Sequence, residues 1–168
     1  MAGRWRRRPV EHRALDLRQA IEDNLEIFQE RLSRSRITVD TSFADACPFV
    51  HADADQMSQV LINLVMNAIH AMPEGGTLRV TLAPLPDRGM VTVTIADTGH
   101  GMPQEIIAKI FDPFFTTKEF GKGTGLGLTV VRGIIEEHSG TIQVESQPGA
   151  GTRFTICLPI HGDPSRNA

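Results

Sequence analysis

Cysteine is scarce in this chain of 168 residues, with Cys47 and Cys157 its only two. They lie far apart without ligand-like spacing, which argues against a disulfide framework or a cysteine metal site. Cys157, between Ile156 and Leu158, reads as a small core residue. Long apolar runs are missing too: no stretch approaches the roughly 18 residues of a membrane-spanning helix. The basic beginning, with Arg4, Arg6, Arg7 and Arg8 around Trp5, lacks the apolar segment of a secretory signal. A net charge of -3 gives no general argument for nucleic acid or an anionic membrane as partner. Internal repeats and long linkers are absent as well. What is there, 40% hydrophobic and 22% charged residues, suits one ordinary core. The expectation is a cytoplasmic chain with a basic extension over 1–13, one domain over 14–160 and a frayed tail over 161–168.

Leu17, Ile21, Leu25, Phe28 and Leu32 recur at helical spacing and predict a helix from about Ala14 to Leu32. Ile37–Phe43 alternates apolar with polar, as a half-buried strand does. Asp53 is a candidate N-cap for a second helix reaching about Ala71, ended by Pro73 and the Gly75–Gly76 turn. Thr77–Ala83 and Met90–Ala96 alternate again and read as a hairpin. From Asp97 to Gly127 the chain is glycine-rich, interrupted only by a short helix-like piece, Gln104–Ile110. A third helix follows from Leu126 to about His138, with Gly140 as its stop. Thr141–Ser146 and Thr152–Pro159 form a last pair of strands. Hairpins rather than βαβ crossovers, with three helices, predict an α+β two-layer sandwich: a mixed, mostly antiparallel sheet covered on one face.

The second helix carries Gln59, Asn63, Asn67 and His70, spaced four, four and three apart and hence on one face. Amide carbonyls are hard oxygen ligands that can orient a hydrated Mg²⁺ and phosphates. A solvated polar stripe, which most helices carry, is the plainer alternative. Asp97-Thr98-Gly99-His100-Gly101-Met102 directly follows a strand. Such a segment is often only a turn. It also suits a carboxylate that accepts a hydrogen bond from an exocyclic amine, with glycines letting a flat base approach. Gly121-Lys122-Gly123-Thr124-Gly125-Leu126-Gly127-Leu128 runs straight into the third helix. Free amides and a helix N-terminus make a phosphate site. This is neither a P-loop, lacking GxxxxGK before Ser or Thr, nor a dinucleotide fingerprint, since no strand precedes it. Phe111, Phe114 and Phe115 suit either core or the anchor of a movable lid, with Lys118 or Lys122 reaching a phosphate.

Taken in order, the Asn-x-x-x-Asn helix, DxGxG, the phenylalanine box, GxGxGLGL and a final Gly-x-Gly-Thr resemble the catalytic domain of two-component sensor histidine kinases. That domain belongs to a superfamily shared with DNA gyrase, mismatch-repair ATPases and a heat-shock chaperone. The resemblance covers about Leu15 to Pro159. Asn67–Gly76 and Phe111–Lys118 look most like the nitrogen-regulation type. The resemblance implies ATP and Mg²⁺ as cofactors and a flexible ATP lid. Asp97 would hold the adenine amine, Gly101 would lie beside the ring, and Thr152 would support it through water. Asn67 would bind Mg²⁺ with Asn63 beside it, and Gly123, Gly125 and Gly127 would wrap the phosphates. The implied nucleotide contacts also take in Gly99, Met102, Phe111, Lys118, Thr124, Leu126 and Leu128. Catalytic roles would fall to Asn63, Asn67 and Lys118. The family's last polar helical position is often lysine, whereas here it is His70, and a neutral imidazole is a weaker phosphate partner.

ATP-hydrolysing relatives place a glutamate four residues before the metal-binding asparagine. This chain has Asn63 there, and an amide accepts no proton at neutral pH. ATP is therefore expected to persist until a histidine attacks it. Anti-sigma-factor serine kinases keep the glutamate and match less well, and an ATP-binding switch without transfer is the remaining alternative. In the family the acceptor histidine precedes an acidic residue on a dimerising helical hairpin, whereas His12 precedes Arg13. His51, His70, His100, His138 and His161 lie inside or after the ATP domain. The implied partner is a hairpin in another chain or in an N-terminal part of a longer kinase, with a response regulator as the indirect recipient. Without a hairpin, a monomer is expected.

Overall fold

The computed structural model describes residues 9–115 and 127–161. In chain order the elements are β1 (Arg13–Leu15), α1 (Leu17–Arg34), β2 (Ile37–Phe43), β3 (Val50–Ala52), α2 (Ala54–Ala71), β4 (Gly76–Leu85) and β5 (Met90–Asp97). A single-turn α3 (Gln104–Ile107), α4 (Gly127–Glu137), β6 (Thr141–Gln147) and β7 (Gly151–Pro159) complete them. Five strands form one sheet in the order β2–β4–β5–β7–β6, antiparallel except for β2 against β4.

Alternation sets the faces of this sheet. Leu82, Val93 and Ile156 stand in register on one side, as do Val80, Ile95 and Phe154, and all six are buried. Thr81, Thr94 and Thr155 form the row on the other side. The apolar side receives α1, α2 and α4. From α1 it takes Leu17, Ile21, Phe28 and Leu32, and from α2 Val60, Leu61, Leu64, Val65 and Ala68. From α4 come Val131, Ile134 and Ile135. A Leu64→Ala truncation at such a site typically costs about 2–5 kcal/mol.

The helices end where local chemistry stops them. α1 begins at Leu17, not at Ala14, because the Asp16 carboxylate accepts the N–H groups of Arg18 (3.0 Å) and Gln19 (3.3 Å). Arg13–Leu15 instead pairs with Val50–Ala52 in a separate two-stranded sheet that local periodicity does not reveal. The helix-like piece at Gln104–Ile110 is helical only to Ile107. At the end of α4 the left-handed residue is Ser139 (φ 57°), one position before the expected glycine stop. Ser139 N–H reaches Glu136 O (2.9 Å) and Gly140 N–H reaches Ile135 O (2.9 Å), which together close a Schellman motif. Gly140 instead permits close packing, since a Cβ there would stand 2.5 Å from Cys157 O.

Two expectations about β2 need correcting. It joins β4 in parallel through α2, so the fold contains one βαβ crossover beside its hairpins. It is also an edge strand: only Ile37 is buried and most of the rest is exposed. Among the described residues no helix is long and apolar enough to cross a membrane.

Asp53 joins three parts of the chain. One carboxylate oxygen accepts Gln56 N–H (3.0 Å) and caps α2, and the other accepts Glu11 N–H (2.8 Å). Its own N–H donates to His138 Nε2 (3.0 Å) at the end of α4. The Gln56 N–H above all, against the opposing effect of burial and with the Glu11 N–H assisting, holds its carboxyl below the usual range. A carboxyl so depressed adds stability above the ordinary carboxylate range, and that stability is lost as pH falls through its folded value. Asp53→Ala is expected to cost about 1–2 kcal/mol near neutral pH. Urea unfolding should also show a smaller loss between neutral and acid pH than in the wild type.

Candidate nucleotide site

The α2 face identified in the sequence is present: Asn63 and Asn67 are half-buried and His70 is exposed. Gly127, the first residue of α4, lies against this face. A Cβ added to Gly127 would sit 3.5 Å from Asn63 Oδ1, an ordinary contact distance. The N-terminal end of α4 thus faces the middle of α2, and Leu128 packs half-buried against the core. Phe111 is tied to the same helix: its carbonyl accepts from Thr129 Oγ1 (3.0 Å), and the Arg132 guanidinium stands 5.7 Å from its ring centroid. Phe115 packs against the core, while Phe114 is 73% exposed. Lys118, Gly123, Thr124, Gly125 and Leu126 lie outside the described residues.

At the other end stands Asp97, the last residue of β5. Its Oδ1 accepts Gly99 N–H (2.8 Å) and Thr152 N–H (3.3 Å). The glycines around it are required by backbone packed directly on backbone. A Cβ on Gly99 would lie 2.3 Å from Ala71 O, at the end of α2. At Gly101 (φ +65°) it would lie 1.8 Å from Gln147 O, and at Gly151 (φ +86°) 2.0 Å from Asp97 O. His100 N–H donates to Ala71 O (3.0 Å), and His100 O accepts from Gly149 N–H (2.7 Å). The turn after β5 is therefore clamped between the end of α2 and the β6–β7 turn.

A cleft of about 620 Å³ opens at this junction, lined by Asp97, Ser146, Gln147, Gly151 and Thr152 and by Gln104 and Ile107 of α3. Asn63 and Asn67 are not in its lining, so it corresponds to the Asp97 end of the expected pocket only. Burial pushes the Asp97 carboxyl up, against the Gly99 and Thr152 N–H groups and nearby His100, which pull it down. Ser146 carries no motif that would single it out in the sequence. It is buried on β6, and its hydroxyl accepts Met102 N–H (2.8 Å) and lies 2.8 Å from Thr152 Oγ1. The available signal was a polar residue at the inward position after Ile142 and Val144.

The chain belongs to the family described as histidine kinase-, DNA gyrase B-, and HSP90-like ATPase, which matches residues 52–162. Within that family it is a histidine kinase catalytic domain. Sensor histidine kinase ZraS of Klebsiella oxytoca is 39% identical over 153 residues, covering 91% of this chain and 32% of its own. The chain therefore spans about a third of that relative's length. The nucleotide-free catalytic domain of histidine kinase ThkA aligns with a TM-score of 0.80 at 36% identity, covering 89% of this chain and 96% of that one. Full-length ShkA in complex with AMPPNP aligns with a TM-score of 0.80 at 26% identity, covering 91% of this chain and 32% of that one.

Asp97→Asn separates the site from the fold. An asparagine Oδ1 can keep both backbone hydrogen bonds and relieves the desolvated charge, so thermal stability should not fall. Nucleotide affinity should drop by about 1.5–3 kcal/mol, the scale of a hydrogen bond to a charged group. Calorimetry with ADP and a thermal melt check the two halves.

Proposed function

We propose that this domain binds Mg–ATP between α2, the turn after β5 and the start of α4. Its γ-phosphoryl group would pass to a histidine on the dimerisation hairpin of a sensor kinase, for relay to a response regulator. The observation that carries this reading is Asn63, a half-buried amide beside the first residue of α4 where a hydrolase of this family would hold a carboxylate. An amide cannot take a proton from water at neutral pH, so bound ATP awaits a nucleophile from another domain. An imidazole nitrogen attacks the γ-phosphorus; a P–N bond forms, the β–γ bridging P–O bond breaks, and its electron pair leaves on ADP.

The donor set suits Mg²⁺. Asn67 and Asn63 offer neutral amide oxygens, and the described residues contain no cluster of three or more His, Cys, Asp or Glu that could hold a metal. Neutral oxygens fit an ion that arrives with phosphates, since Mg²⁺ keeps most of its shell as water and phosphate oxygen. When bound, it would neutralise charge on the transferring group. In this reading Asn67 and Asn63 orient the phosphates, with His70 at the edge of the same face. Asp97 accepts from the adenine amine, while Gly99, Gly101 and Met102 form the turn beside the base, and Thr152 supports it. Phe111 and Leu128 would make nucleotide contacts at the start of α4. Lys118 and the segment from Gly123 through Gly127 supply phosphate contacts. Use of ATP as cosubstrate fits a domain working in the cytoplasm.

Purified alone, the chain should bind Mg–ATP, turn it over very slowly and not label itself. With a cognate hairpin it should yield a phosphohistidine that is labile in acid and stable in alkali. Asn67→Ala should depress transfer more than binding, because the adenine contacts survive. Rapid multiple turnover by the isolated domain would refute the role given to Asn63, and an acid-stable phosphoserine would move the chain to the serine-kinase branch.

A further inference from the structure

Ser146 sits opposite Thr152 in the β6–β7 register, and both side chains are buried. Its hydroxyl has three neighbours: Met102 N at 2.8 Å, Gly151 O at 2.9 Å and Thr152 Oγ1 at 2.8 Å. A serine hydroxyl carries one proton and two lone pairs. The Met102 N–H can only give, and the Gly151 carbonyl can only accept. Ser146 therefore accepts from Met102 and donates to Gly151. Its remaining lone pair then takes the Thr152 hydroxyl proton. This arrangement satisfies every polar group in the cluster, as buried groups require. It also leaves Thr152 Oγ1 with nothing but lone pairs to offer the cleft that Asp97, Ser146 and Thr152 line. Asp97 is an acceptor as well, and both of its hydrogen bonds to described residues fall on Oδ1, which leaves Oδ2 for a ligand.

We propose that Ser146 is a specificity-determining positioning residue: by consuming the Thr152 proton it makes the base end of the cleft a pair of acceptors, selecting adenine over guanine. This inference rests on the reading of Asp97 as the base-binding carboxylate. The exocyclic amine of adenine has two N–H groups to give, one for each acceptor, directly or through a water that in turn donates a hydrogen bond to Thr152 Oγ1. Guanine presents a carbonyl oxygen at the same ring position, which would face two acceptors with no proton between them. Without Ser146, the Thr152 hydroxyl is free to turn its proton into the cleft and meet that carbonyl.

The test is calorimetric titration of the full chain with Mg–ATP and Mg–GTP, in the wild type, Ser146→Ala, Thr152→Val, the double variant and Asp97→Asn. The wild type should prefer ATP, and each of the first two variants should lower the ATP:GTP affinity ratio by about tenfold, the scale of one hydrogen bond. The double variant should lose no more than either single one, because both act through one hydroxyl. A purely structural Ser146 would shift the thermal midpoint and leave the ratio where it was. Thr152→Val reads the same ratio with Ser146 in place, should Ser146→Ala fold poorly. Unchanged ratios in both single variants, or losses that add in the double, overturn the proposal. If Asp97→Asn weakens ATP binding while the ratio stays fixed in the other variants, this inference alone fails. If Asp97→Asn leaves ATP affinity untouched, the adenine reading fails and this inference with it.

Discussion

The site depends on three backbone segments that touch with no side chain between them. Gly99 lies on the last residue of α2, Gly101 on Gln147 at the end of β6, and Gly151 on Asp97. A methyl group at any of these would meet a carbonyl oxygen at 1.8–2.3 Å, far inside contact distance. Two of the three also hold φ values that side chains disfavour. This convergence brings the end of β5 against the start of β7, so that one Asp97 oxygen reaches N–H groups from both sides.

Charged and neutral polar groups are separated between the cleft and the α2 face outside it. In the cleft stands the Asp97 carboxylate, whose proton affinity is raised by burial and restrained by two backbone N–H groups. Keeping a charge in a buried place costs stability, which the two N–H groups partly offset. On α2, outside that lining, the half-buried groups are neutral amides, Asn67 and Asn63, the latter beside the first residue of α4. Neutral amides and a helix N-terminus favour phosphate oxygens, and neither accepts a proton from water.

Asp53 gives α2 and α4 a common fixture. It caps α2, binds the imidazole that ends α4, and takes the Glu11 N–H just before β1. The His12 ring stacks on that same imidazole, His138, at 4.5 Å. The β1–β3 pair thus places the residues ahead of α1 beside the N-terminus of the asparagine helix and the C-terminus of α4.

The sequence alone determined the elements whose information is local. The buried positions of α2, its Asp53 cap and the strands of both antiparallel hairpins follow from side-chain period and capping chemistry, which act over one or two turns. The order of asparagine helix, DxGxG turn, phenylalanine box, GxGxGLGL and final Gly-x-Gly-Thr was sufficient for the family. Tertiary structure decided which segments meet. Nothing within Ile37–Phe43 encodes that it pairs in parallel with β4, or that its alternation faces solvent at a sheet edge. Three residues at Arg13–Leu15 hold too little pattern to announce a strand whose partner is Val50–Ala52. The glycines of the Asp97 turn read as room for a base; only the fold adds that their α-carbons pack directly on carbonyl oxygens. Ser146 reads as one more strand residue until Met102, Gly151 and Thr152 close around its hydroxyl. Periodicity reports how much of a residue is buried; which partner buries it depends on long-range packing that no single segment contains.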